Sequence, residues 1–286
     1  MSALVTADDL ATLLARGQVR VLDVQYNLRG TPGAELYAAE HVPGAPHLDL
    51  DAALAGPPGV LGRHPLPDPA VLEAALRACG VDDGDELVVY DQETSLGSAR
   101  AWWVLRWAGH PTVRVLDGGL AAWRRAGLPV TADVPRPAAG SVTVRPGSVP
   151  VLDAGSAAEM ARAGVLLDVR TPERYRGASE PIDRVAGHVP GAVNLPMAEV
   201  LAHDGTFLPP EEVRRRAAAV GVHRDTPVGT MCGSGVTAAQ MSLALASAGI
   251  DSIPYVGSWS EWIEDPSRPV ATDADPGSAA LGGHST

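Results

Sequence analysis

Lysine is missing altogether from this 286-residue chain, so its 22 basic residues are all arginine. No lysine Schiff base or lysine general base is available. Any fixed positive charge at a site must be a guanidinium, whose planar fork suits carboxylates and oxyanions. Aromatic residues are scarce, at 4%, with a single phenylalanine, so the cores must rely on Ala, Val and Leu. Two cysteines, Cys79 and Cys232, are too few and too far apart to spell a disulfide framework or a zinc site. A reducing compartment is compatible with them. No run approaches the roughly 20 apolar residues of a membrane span. Met1 to Leu14 lacks the basic start and apolar run of a secretory signal. The net charge of −12, with no basic patch, argues against nucleic acid or an anionic membrane as partner. A soluble cytoplasmic protein is expected.

What the chain does have is an internal repeat. His41-Val42-Pro43-Gly44-Ala45 returns as His188-Val189-Pro190-Gly191-Ala192. Upstream of each box lies a short apolar run ending in Asp, at Asp23 and at Asp168. Downstream, Leu87–Asp91 corresponds to Pro227–Cys232, and the segment before Trp123 to the segment before Trp262. Landmarks recurring in one order at nearly constant spacing mark a tandem duplication. Within the second copy the pattern predicts strands over Val165–Val169, Pro227–Met231 and Ile253–Val256, and helices over Pro210–Val220 and Val236–Ala248. Alternating strands and helices imply an α/β fold in which each copy is a mostly parallel sheet flanked by helices. Residues 1–131 and 150–270 form the two domains. Residues 132–149, rich in Pro and Gly, form the linker, although Ser141–Arg145 alternates as a strand would. Residues 271–286 have the composition of a disordered tail.

Cys232 ends a predicted strand and opens a predicted helix, with glycines at 233 and 235 between them. Glycines let successive backbone N–H groups turn toward one point, and the helix N-terminus adds partial positive charge. Together these favour the thiolate, the nucleophilic form of cysteine. Ser234 and Thr237 add hydroxyls. A free cysteine alone is more often a small core residue; the strand, the glycines and the helix start together reverse that reading.

The duplicated boxes and the run Cys232-Gly233-Ser234-Gly235-Val236-Thr237 resemble the tandem-domain rhodanese sulfurtransferases, and in particular the mercaptopyruvate-using branch. The likeness runs from about Leu10 to about Val270. It implies two tandem rhodanese-like domains, the first catalytically inactive and the second bearing the nucleophile. Asp91 stands where the second copy has Cys232, and the loop that follows it lacks the Cys-Gly-Ser-Gly pattern. The resemblance further implies that a sulfane sulfur is held as a persulfide on Cys232, cradled by Gly233, Ser234, Gly235, Val236 and Thr237. Ser234 becomes a candidate proton relay, and Arg174 and Arg184 candidate substrate-binding residues. No metal or organic cofactor is required. The acceptor would be cyanide, a small thiol or a thioredoxin-like protein.

Within this family, thiosulfate users commonly carry basic residues directly after the cysteine. Gly233 and Ser234 carry no charge, which tilts the donor toward 3-mercaptopyruvate; thiosulfate remains the alternative donor, and a non-enzymatic persulfide carrier a third reading. A rhodanese-fold phosphatase needs arginine at the sixth position after cysteine, where this chain has Ala238. Features present in both copies are read as architecture: His41 and His188, Asp23 and Asp168, Trp123 and Trp262. Cys79, at a helix end before Gly80, is read as structural, and Trp102, Trp103 and Trp107 as domain packing.

Overall fold

The computed structural model describes residues 2–274. Two four-stranded, wholly parallel sheets form its centre. The first contains β1 (Leu4–Val5), β2 (Arg20–Asp23), β3 (Leu87–Tyr90) and β4 (Val113–Leu116), in the order β1-β4-β3-β2. The second contains β5 (Val165–Asp168), β6 (Val193–Asn194), β7 (Val228–Met231) and β8 (Ile253–Pro254), in the order β6-β5-β7-β8.

The duplication explains the difference at the sheet edges. β1 lies beside β4, whereas its counterpart in the second domain is a single parallel bridge between Leu152 and Tyr255. β6 lies beside β5, whereas its counterpart in the first domain is a single bridge between Asp23 and His47.

Because strand side chains alternate, each sheet buries two faces. Val21, Val88 and Tyr90 join one cluster on the outer face of the first sheet. Leu166 and Met231 join another on the outer face of the second. The opposite faces share one large core that crosses between the domains, containing Leu22, Leu87, Val89, Leu167 and Cys232. Two helices pack on each other at its centre, Leu96–Trp107 and Val236–Ser247. Both are buried nearly all round, so neither shows the single apolar stripe of a surface helix. Trp102, Trp103 and Trp107 lie in this shared core.

The repeated His-Val-Pro-Gly-Ala boxes act as latches. Each histidine Nδ1 bonds a tyrosine carbonyl at 2.8 Å, His41 with Tyr37 and His188 with Tyr175. Each ring stacks on that tyrosine, with centroids 4.0 and 3.7 Å apart. Each histidine backbone also bridges the chain leaving its domain, at Thr131 and at Ala271.

Two sequence expectations need correction. Ser141–Arg145 forms no strand. Its amides are taken by side-chain acceptors on Asp82, Asp83 and Glu73 and by the Val81 carbonyl, so no sheet edge is needed to satisfy them. The expected tail also begins too early. Ala271 pairs with His188, and the Asp273 amide donates to the Arg176 carbonyl; the remainder, 275–286, lies outside the described residues. Cys79 caps its helix, its thiol against the His47 carbonyl at 3.7 Å, and burial pushes that thiol up to about 11. Among the described residues no helix is long and apolar enough to cross a membrane.

Candidate active site

The loop after β7 turns its carbonyls outward and its amides inward. The Cys232 and Gly233 carbonyls accept from the amides of Trp259 and Ser260, at 3.0 and 2.9 Å. Those amides open the short helix Ser258–Trp262. The Cys232 amide donates to Ser258 Oγ at 3.1 Å. With the backbone so clamped, the amides of Ser234 and Gly235 donate to Cys232 Sγ at 3.4 and 3.1 Å. Cys232 and Ser234 are buried, with Val236 beginning the helix beneath them. Gly235 has φ +84°, and a Cβ there would lie 2.1 Å from the Val256 carbonyl; glycine alone fits.

Gly233 is crowded by side chains instead. A Cβ on it would meet Arg63 Nη2 at 2.9 Å and the two Nη atoms of Arg174 at 3.4 and 3.5 Å. Two guanidiniums, one from each domain, therefore stand over the glycine next to the cysteine. Arg174 is held by Glu180, with Nε at 2.9 and 3.0 Å from the carboxylate oxygens, and by Asp183 at 2.9 Å. Burial pushes the Glu180 carboxyl up, but the hydrogen bond from Arg174 and the amides of Asp183 and Ile182 outweigh it and leave it below its ordinary range. Arg63 pairs with Asp183 as well, and its amide donates to Ser260 Oγ at 3.0 Å.

His64 follows Arg63. Its Nδ1 lies 2.8 Å from Ser234 Oγ, and its Nε2 lies 3.4 Å from both Asp51 Oδ1 and the Tyr26 hydroxyl. Burial first, then the charges of Arg100 and Arg63, push the histidine down to about 4. At neutral pH the ring is uncharged. The tautomer with its proton on Nε2 would face Asp51 and leave Nδ1 to accept from Ser234. Burial and the nearby Asp49 raise the Asp51 carboxyl. Arg100, fully buried, fixes this segment: Nε donates to the Leu54 carbonyl, and Nη2 to those of His64 and Pro65, at 3.0–3.1 Å.

Of the residues expected from sequence, the fold assembles Cys232, Gly233, Ser234, Gly235, Val236 and Arg174. Thr237 lies in the first turn of the helix; no contact to the sulfur is formed by its hydroxyl among the described residues. Arg184 is not on the loop. Its side chain is 56% exposed, paired with Glu264 at 2.7 Å and with the Ile263 carbonyl. It rims a cavity of about 520 Å³ that Arg63 and Asp183 also line. Arg63, which the sequence did not single out, stands over Gly233 beside Arg174.

Asp51, Arg63, His64, Tyr26 and Arg100 were not anticipated, and all belong to the first domain. The domains exchange loops. The Arg63 segment reaches Ser260 of the second domain, while the Phe207 amide reaches Asp117 of the first at 3.0 Å. Counted back from the matching helices Pro69–Ala78 and Pro210–Ala219, Arg63-His64 correspond to Asp204-Gly205. A cation and an imidazole in one copy, against an aspartate and a glycine at the same point of the other, were the available signal.

The first-domain loop repeats the clamp without the nucleophile. The Asp91 and Gln92 carbonyls accept from Leu120 and Ala121 at 2.8 and 3.0 Å. The Asp91 carboxylate then fills the cradle itself, accepting from the amides of Glu93, Ser95, Gly97 and Ser98 at 2.8–3.2 Å.

The family model for the rhodanese-like domain matches twice, at residues 6–126 and 153–265. The chain belongs to the rhodanese-like sulfurtransferase family. A Mycobacterium tuberculosis protein provisionally named thiosulfate sulfurtransferase SseB is 46% identical over 93% of this chain and 96% of its own. A Pseudomonas aeruginosa protein provisionally named 3-mercaptopyruvate sulfurtransferase is 44% identical over 94% and 98%. The crystal structure of the Escherichia coli 3-mercaptopyruvate sulfurtransferase SseA superposes with a TM-score of 0.80 at 30% identity, covering 91% of this chain and 100% of that one. The tandem rhodanese-like architecture and the transferase class follow from these matches.

Proposed function

We propose that the enzyme takes sulfur from 3-mercaptopyruvate, holds it as a persulfide on Cys232, and passes it to a thiol or to cyanide. The observation that carries this reading is the pair of guanidiniums, Arg63 and Arg174, standing over Gly233. They offer a fork to a single carboxylate a few ångströms from the thiol, while Gly233 and Ser234 add no charge beside it.

In the first step the Cys232 thiolate attacks the donor sulfur. A sulfur–sulfur bond forms, the donor carbon–sulfur bond breaks, and its electron pair passes into the carbonyl to give the enolate of pyruvate. The proton of the donor thiol ends on the enolate carbon. Ser234 relays it, oriented by the neutral ring of His64. The persulfide anion left behind sits against the amides of Ser234 and Gly235. An acceptor thiolate or cyanide then attacks the outer sulfur and regenerates the Cys232 thiolate. A small thiol or a thioredoxin-like protein fits as acceptor. Two unbridged, buried cysteines suit a cytoplasmic setting. The first domain, its cradle filled by Asp91, carries no transfer of its own.

Intact mass after incubation with 3-mercaptopyruvate tests the intermediate: a gain of about 32 Da, absent from Cys232→Ser, is expected. A kcat/KM for thiosulfate above that for 3-mercaptopyruvate would replace the donor, and no gain with either donor would replace the reaction.

A further inference from the structure

Asp183 is the carboxylate that touches both guanidiniums facing the cysteine loop. One oxygen pairs with Arg63 of the first domain, and the other lies 2.9 Å from Arg174 Nη2 of the second. Its side chain is 4% exposed, so these ion pairs are little screened by solvent. It cannot swing away easily. The amides of Ile182 and Asp183 both donate to Glu180 Oε1 at 3.1 Å, which closes the turn that carries it.

The ion-paired charges around the loop consequently cancel, while the buried Arg100 stands outside these pairs and is spent on the carbonyls of Leu54, His64 and Pro65. Arg63, Arg174 and Arg170 are matched by Asp183, Glu180 and Asp168 through the ion pairs Arg63–Asp183, Arg174–Asp183, Arg174–Glu180, Arg170–Glu180 and Arg170–Asp168. A donor entering this network meets two forks already half-neutralised. For a monocarboxylate such as 3-mercaptopyruvate, the free edges facing Gly233 suffice. A dianion such as thiosulfate brings a second negative charge toward Asp183 with no unmatched surface cation to receive it.

We infer that Asp183 is the residue that sets the charge of the donor subsite, favouring a singly charged carboxylate donor over a dianion. The inference rests on the sulfur transfer proposed above. It differs from the effect of the uncharged Gly233-Ser234 pair, which supplies no attraction for a dianion; Asp183 supplies repulsion, so specificity here has an exclusion element as well as an attractive one. Asp183 acts through the arginines and is a positioning and charge-setting residue, not a catalytic one.

Asp183→Asn keeps the shape and removes one charge. In this variant kcat/KM for thiosulfate should rise relative to that for 3-mercaptopyruvate by about tenfold or more, chiefly through KM, because a unit charge in a partly buried site is worth at least that factor. The gain should shrink as salt is added. Asp183→Glu keeps the charge and should keep the wild-type donor ratio. Equal losses with both donors, or an unchanged ratio, would overturn the inference. The wild-type enzyme gives a second measurement that needs no variant to fold: protection of Cys232 from alkylation by added anions. Pyruvate should protect at lower concentration than inorganic sulfate, and the reverse order would also overturn it. Failure of the underlying reaction is seen separately, as a wild-type enzyme that gains no sulfur from either donor.

Discussion

Ser234 Oγ and His64 Nδ1 lie 2.8 Å apart, and they belong to different domains. The hydroxyl comes from the cysteine loop, and the ring from a loop of the domain that has no nucleophile. Neither domain alone contains the pair. The first domain is thus more than a relic of duplication: it presents Asp51, Arg63 and His64 to the second.

Removal of the ring tests that division of labour. His64→Gln should lower kcat by roughly 10²-fold or more, the usual weight of a positioned acid–base group, while alkylation of Cys232 still proceeds. The same variant should alter the response of stability to acid. The folded-state histidine is pushed down to about 4 by burial, Arg100 and Arg63, whereas in the unfolded chain it titrates near 6.5. Between those values the unfolded state binds the extra proton. His64 therefore imposes no titration cost above pH ~6.5, and stability is lost as pH falls from there toward about 4. Thermal melts across that window should show the loss in the wild type, of order 2–3 kcal/mol, and a shallower slope in His64→Gln.

The two loop glycines should fail in different ways. Gly235→Ala sets a Cβ 2.1 Å from the Val256 carbonyl at φ +84°, so the backbone must move. A loss of at least about 2 kcal/mol in stability is expected, together with loss of sulfur loading. Gly233→Ala meets only side-chain atoms, the guanidinium ends of Arg63 and Arg174. Its melting temperature should change little, and its KM for 3-mercaptopyruvate should rise several-fold. Calorimetry alongside steady-state kinetics separates the two.

Arg100→Met removes donors from three carbonyls, those of Leu54, His64 and Pro65. The Pro65 carbonyl keeps the Gly56 amide at 3.1 Å, but each of the other two, left unsatisfied, costs about 1–3 kcal/mol, so chemical denaturation should show a loss of at least about 2 kcal/mol. Because the same carbonyls anchor the His64 segment, the variant should lose more in kcat than in KM. Arg100→Lys restores the charge without the fork, and should recover only part of the stability.

The sequence made the second half of the site legible and hid the first. Cys232, Gly233, Ser234 and Gly235 sit in one continuous run, where strand, turn and helix signals reinforce each other. The strand and helix spans of the second copy were readable for the same reason: β7 and the helix Val236–Ser247 fall within a residue or so of expectation. His64 has no such local grammar. Its role depends on where a Pro- and Gly-rich loop lands on the other domain, a tertiary fact that periodicity does not encode. Setting aside features common to both copies correctly made His41 and His188 latches, but it drew attention away from the first domain altogether. Arg174 and Arg184 came from the family resemblance of one segment, whereas the guanidinium beside Arg174 over Gly233 arrives from Arg63 of the other domain.

Asp91→Cys closes this chain of reasoning about the two domains. The substitution would place a thiol in a cradle whose amides already point inward, those of Ser95, Gly97 and Ser98 among them. If the cradle were sufficient, the variant would load two sulfurs from 3-mercaptopyruvate. It should load one. The loop that the second domain returns to this cradle carries Asp204 and Gly205 where the first domain sends Arg63 and His64, with Gly205 packed against Glu93. No guanidinium there corresponds to Arg63, and no ring to His64, to receive the carboxylate and orient a relay. Intact mass of Asp91→Cys should therefore show a single increment of about 32 Da, and none when Cys232→Ser is added. A second increment would mean that the amide cradle alone suffices, and that the exchanged loop of the first domain is less important than its contacts suggest.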